Sequence, residues 1–194
     1  MKPLGFLRLS DRSWAYDGGW WLLHLYFGPS SGGGSHTELG VQPLIDWHSH
    51  ITLGCVDAPR RWSGFRDAVQ FEAALNKQLD ELLPIALSLI TEVTTPAQML
   101  SCPRIKIDGL RLGLLQALAG DISAARMTLG SLKSRPGIEH ERVTTRHAEI
   151  ALGLIEDHRR FNDFVELLIL RSRLSIGGDI GSNPPLTFPW MDHR

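Results

Sequence analysis

Apolar residues follow two different rhythms along this chain. Through about residue 45 they alternate with polar ones or form short aromatic runs, the period of strands. From about residue 66 they recur every three or four positions, the period of helices. The first part predicts antiparallel strands at Phe6 to Ser10, Ser13 to Tyr16, Trp20 to Phe27 and Thr37 to Gln42. Asp17-Gly18-Gly19 between the second and third is a hairpin signal, because positive φ is cheap at glycine. In the third strand, Trp21, Leu23, Leu25 and Phe27 share one wholly apolar face, expected to meet the core. Trp20, Leu22, His24 and Tyr26 share the other, expected to sit partly in water or beneath a loop.

The stretch from Asp46 to Ser63 shows no period and contains Pro59, so it reads as irregular. A long helix then spans about Arg66 to Val93. Ala68, Phe71, Leu75, Leu79, Leu82, Ala86, Leu89 and Val93 form one stripe along it, expected to pack against the apolar strand face. Pro84 is expected to kink or split it, and Thr94-Thr95-Pro96 to end it. Helical hairpins follow: Ile107 to Leu118, stopped by Gly120; Ile122 to Leu132, capped by Asp121; Glu141 to Glu156; and Asp163 to Leu174, capped by Asn162. Leu110 to Leu132 looks like one tetratricopeptide-type hairpin, but no second copy follows at that family's period. Residues 1–176 thus read as one α+β domain: a three- to four-stranded antiparallel meander covered by a long kinked helix and C-terminal helical hairpins. Residues 177–194, rich in glycine and proline, read as a mobile tail.

Composition narrows the function classes. The 194 residues carry 20 basic and 21 acidic side chains, so general nucleic-acid binding, which needs a basic excess, is not expected. The longest early apolar run is eight residues, from Trp20 to Phe27, far short of the roughly 20 that span a membrane. No signal peptide is expected, because Arg8, Asp11 and Arg12 break the first apolar stretch. Two cysteines, Cys55 and Cys102, with no Cys-x-x-Cys spacing point to the reducing cytoplasm.

Lys2-Pro3-Leu4-Gly5-Phe6, the strands after it and the hairpin ending Thr37-Glu38-Leu39-Gly40-Val41 resemble the bacterial domain-of-unknown-function family 4304. The resemblance covers mainly residues 2–45. It implies a helix ending in Gly-Phe, a meander and then helices, of which Lys2 to Leu4 would be only the first helix's last turn. Some members sit beside polymorphic-toxin genes, which implies an immunity-like role with another protein as partner. It carries over no catalytic residue.

Three motifs invite chemistry. The Gly28 to Ser35 segment has the composition of a phosphate loop, but it lacks Gly-Lys-Ser/Thr and a following helix, so it reads as a hairpin loop. Asp46-Trp47-His48-Ser49-His50 places two imidazoles two apart, as zinc or iron ligands require, and resembles the first metal motif of amidohydrolases. Those enzymes are (β/α)₈ barrels with later ligands, and the 144 residues after His50 read as helices. A third ligand would be Asp46, His36 or Cys55. His147 reads as a buried histidine, Glu139-His140-Glu141 as a helix start, and His158-Arg159-Arg160 as a helix C-terminus. The sequence therefore favours a non-enzymatic binding protein without a cofactor, using Trp20, His24 and Tyr26 or the glycine-rich hairpin. The alternative is a small zinc-dependent hydrolase built on Asp46, His48 and His50.

Overall fold

A computed structural model describes residues 4–30, 34–46, 56, 61–132, 138–177 and 180, without the side chains of 29–30, 61–63 and 139–140. The architecture is α+β. Five strands, β1 (Phe6–Ser10), β2 (Ser13–Asp17), β3 (Trp21–Ser30), β4 (Gly34–Pro43) and β5 (Arg61–Gly64), form one antiparallel sheet in sequential order. Six helices follow: α1 (Ala68–Glu92), α2 (Pro96–Ser101), α3 (Gly109–Leu118), α4 (Ile122–Gly130), α5 (Glu139–Leu154) and α6 (His158–Ile176).

The turn between β2 and β3 forms as its residues dictate. Gly19 takes φ 83°, and its N–H donates to the Asp17 carboxylate at 2.9 Å. The following pairing, Trp14 with Leu25, Tyr16 with Leu23, Leu25 with Leu39 and Phe27 with Thr37, sorts the side chains onto two faces. Trp21, Leu23 and Leu25 lie on the first face and are buried. α1 packs here, and the Thr37 hydroxyl donates to the Gln78 side-chain oxygen.

The other face departs from expectation. Trp20, Leu22 and His24 are 2%, 0% and 5% exposed, so they lie in the interior and not in water. Only Tyr26 of that set is half-buried. The sheet is thus covered on both faces through its centre, which explains why β3 reads as a nearly unbroken apolar run.

Several boundaries also differ. β5 lies in the stretch expected to be irregular. It is four residues long and is defined by pairing with residues 34–37 of β4, a distant partner that no local pattern reports. α1 runs unbroken through Pro84, because Pro84 and Asp80, whose carbonyl loses its donor, are both exposed and water can serve that oxygen. α2 was not expected. A capping box, in which the Thr95 side chain accepts from the Gln98 N–H while Gln98 reaches back to the cap, restarts the helix at Pro96. α6 begins at His158 and not Asp163, since Asp157 accepts from the Arg160 N–H at 3.1 Å and caps it. His158-Arg159-Arg160 therefore opens a helix, and Asn162 lies within it.

Gly120 at φ 88° stops α3, and Asp121 caps α4 through the Ala124 N–H at 3.0 Å. α3 and α4 pack closely at Gly113, where a Cβ would come within 2.5 Å of Leu129. Asp46, just past β4, joins sheet to helices: its carboxylate accepts from Arg111 Nε at 2.8 Å, and its carbonyl accepts from Ser172 Oγ at 2.8 Å. Most of 177–194 lies outside the described residues, but Gly177 caps α6 and Ile180 is buried. No helix among the described residues is long and apolar enough to cross a membrane.

Candidate functional site

The stripe of α1 divides in two. Its C-terminal half, Leu82, Ala86, Leu89 and Val93, is fully buried. Its N-terminal half is not: Leu75 and Leu79 are half-buried, and Phe71 is 37% exposed. These three side chains line a cavity of about 500 Å³ that opens between α1 and the sheet.

The sheet forms this cavity because its strands have unequal lengths. β2 begins at Ser13, paired with Tyr26, while β3 continues four residues further to Ser30. Among the described residues, the Phe27 N–H donates to the Arg12 carbonyl at 2.8 Å and joins the overhanging hairpin to the β1–β2 turn. Trp14 and Phe27 meet edge to face, with centroids 5.3 Å apart, and both line the cavity. Phe65 and Phe71 meet in the same way at 4.8 Å on the helix side. The described lining is therefore largely aromatic and aliphatic, completed by Asp11 and Arg12 and by Gly28, Gly34 and Ser35 of the hairpin. Gly28 suits its place: a Cβ there would lie 2.2 Å from the His36 ring. A second, shallower hollow of about 470 Å³ shares Gly34, Phe65 and Phe71 and extends to Arg66, Asp67 and Ala68.

Charges around this trough are unequally occupied. Asp11 pairs with Arg8, and Asp67 accepts from the Gln70 N–H at 2.9 Å as the cap of α1. The guanidinium groups of Arg12 and Arg66 have no such partner among the described residues.

A polar cluster lies on the opposite face of the sheet. His24 Nε2 and Ser13 Oγ are 2.5 Å apart and cross-link β3 to β2. Burial pushes the His24 imidazole down from 6.5 to about 4, so it is neutral at pH 7. Tyr26 stands between His24 and His36, with ring centroids 6.2 and 5.9 Å away, and His36 Nε2 lies 3.6 Å from Glu38 Oε1. A serine beside a histidine base is the start of a nucleophilic site. Here both are buried, and His24 Nδ1 has no hydrogen-bond partner among the described residues to orient the ring. Their geometry serves as a buried cross-strand link.

The metal candidates divide. His48, His50 and Cys55 lie outside the described residues. Asp46 is described, and the Arg111 guanidinium holds its carboxylate. His147 is half-buried against Phe164, and its pKa is lowered first by burial and then by Arg171, an effect that Asp46 partly offsets and Arg146 slightly reinforces.

Of the expected binding residues, the structure sets Trp20 and His24 inside the protein and Tyr26 in the polar cluster. None lines the cavity. The residues that do, Trp14, Phe27, Phe65, Phe71, Leu75 and Leu79, carry the periodicity of ordinary core positions, which is why the sequence assigns several of them to the core. No protein-family model, curated protein or solved structure matches this chain.

Proposed function

We propose that this chain is a non-enzymatic binding protein whose site is the cavity between the β3–β4 hairpin and the N-terminal half of α1. One observation carries the reading: an apolar stripe continuous along α1 is covered at one end and left partly open, over a hollow, at the other. A helix that needs only to fold gains by covering its whole stripe, at about 25 cal/mol for each Å² of apolar surface removed from water. The cavity falls within the roughly 300–1,000 Å³ range of small-molecule sites and has their character, an apolar lining with few polar groups at its edge. A concave site of this kind suits an inserted group better than a flat protein interface does.

A binding role without catalytic residues is also what the resemblance of residues 2–45 would imply. An immunity-like partner protein would reach this site by inserting one apolar side chain.

Titration with the uncharged fluorophore 1-aminoanthracene tests the site. Saturable binding near one equivalent is expected, and it should be lost in Leu79→Trp, where the indole fills the hollow. Absence of saturable binding to the folded protein would sink the reading.

A further inference from the structure

The cavity's chemistry narrows its ligand, on the basis of the binding reading just given. Four aromatic rings and two leucines supply an apolar interior, so the inserted part of a ligand is alkyl or aromatic. The edge is not neutral in effect. Among the described lining residues Arg12 and Arg66 are cations and Asp11 and Asp67 carboxylates, and Arg8 adds a third cation through its pair with Asp11. Both carboxylates are engaged, one by Arg8 and the other by the first turn of α1. What remains for a ligand among the described residues is the pair Arg12, which lines the first hollow, and Arg66, which lines the second, each exposed and able to present a planar fork of donors. An apolar interior with two exposed guanidinium groups in the lining of the adjoining hollows is complementary to an anion at the end of an apolar tail.

We infer that the site binds a small amphipathic carboxylate, with its alkyl or aromatic tail between Trp14, Phe27, Phe71 and Leu75 and its carboxylate at Arg12 or Arg66. A cationic head gains nothing from these two guanidinium groups. A guanidinium–carboxylate fork at this partly exposed edge adds modest affinity and salt-sensitive selectivity, while the tail supplies most of the binding.

The test compares three ligands with the same ten-carbon tail, decanoate, decanol and decylamine, as competitors of bound 1-aminoanthracene at low salt and pH 7.5. Decanoate is expected to displace the probe at a concentration about fivefold or more below that of decanol, with decylamine weakest. Arg12→Gln together with Arg66→Gln should bring decanoate to the level of decanol measured on the same variant, and 0.5 M NaCl should shrink the preference in the native chain. Equal displacement by all three, or a preference for decylamine, would overturn the carboxylate assignment while leaving the cavity reading intact. Failure of the probe itself to bind would remove both. A dimer in solution that excludes the probe would show that a second copy of the chain fills the cavity, and would also overturn the inference.

Discussion

Arg173 grips Asp17 with both arms of its guanidinium: Nη1 and Nη2 each donate to a different carboxylate oxygen at 2.7 Å. Nη1 also donates to the Gly19 carbonyl at 2.9 Å, so α6 is fastened to the β2–β3 turn by one side chain that is 1% exposed. A buried charge keeps its place only when its donors are satisfied, and removing one partner leaves the other unpaired in a poor solvent. Arg173→Ala is expected to lower stability by about 3–5 kcal/mol. Urea unfolding of Arg173→Ala, Asp17→Ala and the double variant checks this. The double variant should cost much less than the sum of the singles, and full additivity would mean that the pair is not coupled.

The two halves of the α1 stripe should respond differently to truncation. Leu82, fully buried in the C-terminal half, should lose about 2–5 kcal/mol on replacement by Ala. Leu75, half-buried over the cavity, should lose only about 1 kcal/mol. Equal losses in thermal or chemical unfolding would place Leu75 in a closed core.

His24 makes stability depend on pH in a defined direction. Its native pKa, about 4, is below the unfolded 6.5, so between these values the unfolded chain binds a proton that the native one refuses. The stability contribution is full above pH 6.5 and falls as pH drops toward 4, by at most about 3 kcal/mol. His147, also lowered, acts with the same sign. His24→Gln should flatten the slope of unfolding free energy between pH 6.5 and 4.5. An unchanged slope would mean that His24 titrates normally in the folded protein.

Purified protein is expected to carry no stoichiometric zinc or iron. Asp46, one of the would-be ligands, is committed to Arg111. Asp46→Asn should therefore reduce stability by about 1–3 kcal/mol without altering metal content. One equivalent of metal in the wild type, lost in His48→Ala with His50→Ala, would instead promote the hydrolase.

What the sequence disclosed depended on how local each cause was. β1, the Asp17-Gly18-Gly19 turn, the Gly120 stop and the Asp121 cap are set by residues a few positions apart, and all are legible. The start of α6 is not fixed by the sequence although its signal is local, because Asp157 and Asn162 are both good caps and only the structure shows which is used. β5 and the clasp between Arg173 and Asp17, 156 residues apart, have no local signature at all. The cavity was hidden for a further reason. Phe71, Leu75 and Leu79 have the spacing of core residues, and periodicity reports which side of a helix is apolar, not whether anything covers it. The burial of Trp20, Leu22 and His24 was concealed in the same way, since a polar histidine suggested a wet face.

Methyl and indole NMR on the native chain, with 1-aminoanthracene added, tests the binding site most directly. The account predicts saturable shift changes concentrated at the Leu75 and Leu79 methyls and the Trp14 indole, with Leu82, Leu89 and Trp20 unmoved. Changes spread evenly over the molecule, or centred on Trp20 and Tyr26 on the far face of the sheet, would contradict it.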